Sequence, residues 1–223
     1  MSELIDTTEM YLKVVFELEE QRQPALRARL SERLEQAMPS VSQTVSRMER
    51  DGLLTLDDQR VIRLTETGRS LAVAVMRKHR IAERFLFDVL ELDWADVHEE
   101  ACRWEHVLGD AAEAKLAGML KVLDTDPYGN PIPGLNLIGR EPAKDLISGS
   151  SIVEEVDGQI GTLSAIGEGI QAVPGILRTM SDSGIIPGGK IRVVRDGPEF
   201  RISGTSGEIV LSHQLAAQLF INQ

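Results

Sequence analysis

Twelve of the 19 glycines in this 223-residue chain follow residue 148. Glycine weakens helices and opens the left-handed backbone region to turns, so the chain must fold in two styles. Past residue 148, short apolar runs such as KIRVVR, FRISG and GEIVLS alternate with turn residues, the pattern of short strands in a small β barrel or sandwich. Residues 74–123 are the opposite: AVAVMRKHRIAERFLFDVL, HEEACRWEHVL and DAAEAKLAGMLKVL keep a helical period throughout. Between these regions, DTDPYGNPIPGLNLIGREPAKDLISGS (124–150) holds four of the nine prolines and reads as extended chain. Residues 1–73 mix helices with one short β pair. The expected fold class is mainly α with β parts, with domains over 1–73, 74–140 and 151–223 and a linker over 141–150.

Composition narrows the setting. No apolar run approaches the roughly 20 residues of a membrane-spanning helix. MSELIDTTEM lacks the basic-then-apolar order of a secretion signal. A lone cysteine forms no internal disulfide. The expected compartment is therefore a reducing cytoplasm, with no membrane partner. A net charge of −11 argues against nucleic-acid binding over the whole surface and leaves room for a local basic patch.

Such a patch lies between residues 22 and 50, where six arginines meet three glutamates. PALRARLSERLEQ spells one amphipathic helix, AMPS a turn, and SVSQTVSRMERDG a second helix with Ser40 as its N-cap. LLTL and VIRL, joined by DDQR, form a hairpin, and LTETGRSLA opens another helix. Helix–turn–helix followed by a hairpin is the outline of a winged helix. On the second helix Val41, Val45 and Met48 face the core, leaving Ser42, Gln43, Ser46, Arg47 and Arg50 outward. Short polar side chains suit base edges, and arginines suit phosphates. The competing reading is an all-α domain that does not touch DNA.

HEEACRWEH (98–106) is the second concentration of chemistry: it gathers the only cysteine, two of the four histidines and three glutamates. A helix is expected here, with Asp93 as N-cap and Gly109 as the glycine just past its end. His98, Cys102, Glu105 and His106 then share one stripe. His98 and His106 would stand about 12 Å apart along the axis. Metal–ligand bonds are about 2.0–2.3 Å, so two sites are expected, each completed from elsewhere. HRIAE offers His79 and Glu83 one turn apart, giving one set of His79, Glu83 and His98. Cys102, Glu105 and His106 form the other, short of a fourth ligand. The plainer alternative is a solvated acidic face with a buried cysteine. HEEAC departs from the metalloprotease H-E-x-x-H at Cys102, and no enzyme is expected. Trp104 and Met76 are expected in the core, and His213 as an ordinary surface or core histidine.

DTTEMYL, SRMERDG, AVMRKHR, EACRWEH and GNPIPG together make the chain resemble the bacterial diphtheria toxin repressor and iron-dependent regulator family. The match is close over residues 1–140 and looser beyond. The resemblance implies an N-terminal winged helix-turn-helix, a helical metal-binding and dimerisation domain, and a C-terminal SH3-like β-barrel. It implies a regulatory site of Met10, Cys102, Glu105 and His106, and an ancillary site of His79, Glu83 and His98 with Glu168 and Gln171 from GEGIQ. DNA contacts are implied at Arg27, Ala28, Arg29, Pro39, Ser42, Gln43, Thr44, Arg47, Arg50 and Arg60. The turn QAMPS departs from the small residues that relatives place before the proline.

The implied function is repression of iron-homeostasis genes by a homodimer on palindromic operator DNA, with room for two dimers per operator. Fe(II) is the implied effector, with Co, Ni, Zn, Mn or Cd as substitutes in vitro. Soft Met10 and Cys102 beside harder glutamate and imidazole suit Fe(II) better than Mn(II). Metal is expected to order the first turn of the N-terminal helix, where Asp6 and Glu9 suggest a capping box. The alternatives are a redox sensor acting through Cys102 and a family member that responds to Mn(II). GNPIPG is also a proline-rich segment of the kind SH3-like folds bind, which leaves an intramolecular contact open.

Overall fold

The computed structural model describes residues 7–142, 147–154 and 157–222. Helices α1 (Thr7–Glu20), α2 (Arg27–Arg33) and α3 (Met38–Arg50) lead into a hairpin of β1 (Leu54–Leu56) and β2 (Ile62–Leu64). The two strands pair antiparallel from Leu54↔Leu64 to Leu56↔Ile62. Tyr11, Leu12, Val15 and Leu18 of α1 share one core with Val41, Val45 and Met48 of α3 and with Leu54 and Ile62 of the hairpin. This is a winged helix-turn-helix, built on the apolar stripe visible in the sequence.

Its boundaries shift from expectation. Helix α2 has only seven residues, because the chain turns through Leu34 and through Glu35 at φ 52°. Helix α3 begins at Met38, so Ser40 lies inside its first turn and is not the cap. The cap residue Ala37 offers no side-chain hydrogen bond. Pro39 compensates: it has no N–H to satisfy there, and its φ is already helical.

Helix α4 (Glu66–Asp88) is capped by Thr65, whose hydroxyl accepts the Gly68 N–H at 3.0 Å. It passes residue 73 unbroken, so the winged helix and the helical region share one rod. Helices α5 (Val97–Trp104) and α6 (Asp110–Met119) follow. Helix α5 is shorter than expected at both ends. Asp96, not Asp93, occupies the N-cap position. Asp93 instead closes a local turn by accepting the Ala95 N–H at 3.0 Å, and its other oxygen is held by Arg178 at 2.7 Å. Gly109 is not the residue past the end of α5: it is the N-cap of α6, with φ −75°. Glu105 and His106 therefore lie in a turn beyond the helix.

The proline-rich segment is docked. The Tyr128 carbonyl accepts the Ile166 N–H at 2.9 Å, and Asn130 Nδ2 donates to the Ile166 carbonyl at 2.9 Å. Trp94 Nε1 donates to the Pro127 carbonyl at 3.1 Å and Arg80 Nη1 to that of Pro131 at 2.6 Å. Gly129 sits at φ 88°, and a Cβ there would collide with the Ser164 carbonyl.

The C-terminal region comprises β3 (Ser150–Ser151), β4 (Ile160–Ile166), α7 (Glu168–Gln171), α8 (Ile176–Asp182), β5 (Lys190–Asp196), β6 (Glu199–Ser203), β7 (Glu208–Ser212), α9 (His213–Ala216) and β8 (Leu219–Asn222). Its strands form one six-stranded antiparallel sheet, ordered β3-β8-β4-β5-β6-β7. Leu163, Ile166, Val193, Phe200 and Ile202 pack in one cluster with Ala82 and Leu86 of α4 and Val97 and Ala101 of α5. The sheet is thus seated on the helices, and α7, which leaves the end of β4, meets the α4–α5 groove. His213 is exposed and approaches the Phe200 ring edge-on at 5.7 Å.

Candidate metal centre

Three short stretches of backbone meet at this groove. Helix α4 presents His79 and Glu83, α5 presents His98, and α7 presents Glu168 and Gln171, all buried. His79 Nε2 stands 2.8 Å from Glu83 Oε1 and 3.3 Å from Glu168 Oε2. His98 Nδ1 stands 3.1 Å from Glu83 Oε1 and 3.6 Å from Glu168 Oε2. One ligand atom from each of these four residues lies within 4.8 Å of the others. Gln171 donates Nε2 to the Ile166 carbonyl at 2.6 Å, which leaves its Oε1 over. Among the described residues Glu83 Oε2 and Gln171 Oε1 are buried without a hydrogen-bond partner. An unsatisfied buried polar atom costs about 1–3 kcal/mol, and more when charged. Two carboxylates and two imidazoles converging this closely are donors suited to a divalent cation, so the residues fit one.

The second expected set is less compact. Met10, Cys102, Glu105 and His106 line one cavity of about 220 Å³, together with Lys13, Glu17, His98 and Glu168. Cys102 Sγ lies 3.6 Å from His98 Nε2 and clusters with His79 and His98. Glu105 and His106 belong to neither cluster. They lie in the turn that continues α5 and face the same cavity as Cys102, engaged with other partners. Glu105 Oε1 is 3.1 Å from His106 Nε2, while its Oε2 takes Lys13 Nζ at 2.7 Å and His79 Nδ1 at 2.5 Å. His106 Nδ1 reaches Glu9 Oε2 at 2.8 Å. Glu9 is therefore engaged with His106, and Asp6, its expected capping partner, lies outside the described residues. Glu9 and Lys13 are site neighbours that the sequence reasoning missed. The signal for Lys13 was a lysine inside the apolar run YLKVVF, one turn after Met10.

The electrostatics push the groups of this cavity toward their charged forms. Burial works to raise the Cys102 thiol, but the Lys13 ammonium and the His98 ring beside it prevail and lower it to about 5. Burial works to lower His98, yet the Cys102 sulfur and Glu83 raise it to about 10. His106 is raised, first by its hydrogen bond to Glu105. Burial opposes the ionised form of Glu105, and Lys13 and His79 outweigh it, holding the carboxyl below its usual range. The residues thus form an alternating array of thiolate, carboxylates, imidazoliums and one ammonium.

The winged helix presents the other expected site. Pro39, Gln43, Arg47, Arg50 and Arg60 are exposed, as is Ala28; Arg27, Ser42 and Thr44 are half-buried. Arg29 is half-buried and donates to the Pro24 carbonyl at 2.8 Å. Arg60 stands at the hairpin tip with φ 64°, in a turn held by Asp57, which accepts the N–H groups of Gln59 and Val61. No described helix is long and apolar enough to cross a membrane.

The chain matches two family models. One is described as the iron dependent repressor N-terminal DNA binding domain (residues 3–62), the other as the iron dependent repressor metal binding and dimerisation domain (65–134). It is 47% identical over 200 residues to the iron-dependent repressor IdeR of Mycobacterium tuberculosis, covering 86% of each chain. It is 42% identical over 226 residues to the diphtheria toxin repressor of Corynebacterium diphtheriae, covering 100% of each. A solved manganese-dependent transcriptional repressor in complex with manganese superposes with a TM-score of 0.77 at 27% identity, over 96% of this chain and 99% of that one.

Proposed function

The chain belongs to the iron-dependent repressor family of metal-dependent transcriptional repressors, and on that footing we propose that it is an Fe(II)-activated repressor. It binds palindromic operator DNA as a homodimer and controls iron-homeostasis genes. The observation that carries this reading is the buried cluster of His79, Glu83, His98 and Glu168, one ligand atom of each within 4.8 Å of the others, where α4, α5 and α7 meet.

His79, Glu83, His98, Glu168 and Gln171 would hold one ion; Met10, Cys102, Glu105 and His106 would hold the regulatory one. A bound ion would supply positive charge to the carboxylates and the thiolate gathered there. The ligand residues themselves come from every part of the molecule. Met10 lies on α1 of the winged helix, Cys102 on α5, Glu105 and His106 just past it, and Glu168 and Gln171 on α7 beside the sheet. Holding them together fixes α1 against α5, and with it the pose of α3. A thioether and a thiolate among the regulatory ligands favour Fe(II) over the harder Mn(II). The relatives named as iron-dependent repressors support the same choice. Phe87, Leu90, Val107 and Met119 leave apolar surface on the helical region, which suits a second copy. Gln43 in the first half of α3 reads base edges, and Arg47 and Arg50 hold phosphate.

The half-buried Cys102, lowered to about 5, is also what a redox sensor needs. Fluorescence anisotropy on a labelled operator separates the two readings. Met10→Ala and Cys102→Ala should both lose metal-dependent DNA binding while keeping fold and dimer. A thiol oxidant in the absence of metal should have no effect. A Met10→Ala protein that keeps full Fe(II) dependence, with Cys102→Ala losing an oxidant response, would favour the redox sensor.

A further inference from the structure

Lys13 belongs to neither ligand set, yet it lies between them. It is buried on α1, one turn past Met10, and lines the cavity of Met10, Cys102, Glu105 and His106. Its Nζ donates to Glu105 Oε2 at 2.7 Å and stands 3.3 Å from His79 Nδ1. Glu105 Oε2 is itself 2.5 Å from His79 Nδ1, so the ammonium touches one residue of each set through a shared carboxylate.

The arginines nearby are engaged differently, and the histidines, unlike Lys13, are themselves in the ligand sets. Arg33 is spent on Glu17 and Gln218, and Arg77 on Glu113. Arg80 binds Glu20 and only the outer oxygen of Glu168, Oε1, leaving Oε2 to face the histidines. An ammonium carries three donors and no lone pair, so while charged it cannot ligate a metal. It can only stand in for one.

We propose that Lys13 is a built-in placeholder cation: its ammonium holds the anionic ligands together in the metal-free protein and thereby sets the metal concentration at which the sites load. This rests on the metal-site reading above. A divalent ion entering the same cavity must act against a unit charge buried there. Removing that charge therefore strengthens metal binding and weakens the metal-free fold. Had Lys13 served only to orient Glu105, its loss would weaken metal binding. Had it been a spacer, its charge would be irrelevant.

The test is an anaerobic Co(II) titration of the full chain, read by thiolate-to-metal absorption and against a competing chelator, with thermal melting of the metal-free protein alongside. Lys13→Met and Lys13→Gln should bind Co(II) about tenfold or more tightly than wild type, since buried charges at short range interact by several kcal/mol. Both should melt lower without metal and gain more on adding it. Lys13→Arg, which keeps the charge, should stay near wild type. Equal or weaker Co(II) binding by Lys13→Met and Lys13→Gln overturns the proposal, as does an equal gain from Lys13→Arg. A variant too unstable to fold without metal should fold in saturating Co(II); failure there also overturns it. Wild-type protein that binds no Co(II) removes the metal-site reading itself, a result distinct from all of these.

Discussion

Replacing Arg80 with methionine deletes a fully buried guanidinium while keeping much of its volume. Arg80 Nη1 and Nη2 hold Glu20 at 2.9 and 2.7 Å, its Nε holds Glu168 at 3.1 Å, and Nη1 also donates to the Pro131 carbonyl at 2.6 Å. One side chain on α4 thus ties α1, the proline-rich segment and α7 together. Asp126 lies 3.6 Å away, but burial, then Glu83, pushes its carboxyl well up, so it adds little to the charge left behind. Glu20 and Glu168, 5% and 3% exposed, would lose their counter-charge. Removing one partner of a buried ion pair costs about 3–5 kcal/mol. At about 2–4 °C per kcal/mol for a chain of this size, the metal-free protein should melt roughly 6–20 °C lower. Circular dichroism melts at pH 7.5 in chelator measure this. A fall of less than about 2 °C would mean that the carboxylates find water or protons when the arginine leaves, and the hub would not be what joins these elements.

Three further outcomes follow from the sites. Gln43→Ala should lose discrimination between operator and mutant operator, a base contact being worth about 1–3 kcal/mol. Arg47→Ala and Arg50→Ala should instead weaken binding to all DNA and flatten the salt slope by about one unit each; equal loss of specificity in all three variants would refute this division. Metal binding should release protons from histidine: metal needs the neutral ring, while His98, raised to about 10, is protonated at neutral pH, and His106 is raised as well. Affinity at limiting metal should then fall as pH drops from 8 to 6, by about tenfold per unit for each proton displaced. Cys102, lowered to about 5, is already ionised over that range, so Cys102→Asp should leave the slope unchanged; calorimetry in two buffers shows whether the protons disappear with the thiol.

The winged helix was legible because Val41, Val45 and Met48 and the two hairpin runs follow the periods of helix and strand. Helix ends were not. Met38 and Pro39 start α3 without a side-chain cap, and Asp93 is drawn into its own turn and to Arg178. The ligand stripe of HEEACRWEH was legible as one face, but nothing local to it says that Glu105 will meet Lys13 and His79. Helix α4 shows the deeper limit. Its buried residues include His79, Arg80 and Glu83 beside Ile81, Ala82 and Leu86, so apolar periodicity alone does not mark the ionic core. His79, Glu83 and His98 could be grouped from spacing, whereas Glu168 and Gln171 came only from the resemblance, since nothing local in GEGIQ says which helices α7 will meet. The docking of the proline-rich segment depends on partners distant in sequence: Trp94 and Arg80 donate to the Pro127 and Pro131 carbonyls, and Asn130 donates to that of Ile166.

The most direct test uses wild-type protein without oxygen. A labelled duplex, selected from a random library with Fe(II)-loaded protein, is titrated by anisotropy in chelator, in Fe(II) and in Mn(II). Coupling free energies between sites are typically about 1–3 kcal/mol, or roughly 5–150-fold. Fe(II) should therefore raise DNA affinity within or above that range, at lower free metal than Mn(II) requires. The same affinity in chelator as in saturating Fe(II) would contradict the account.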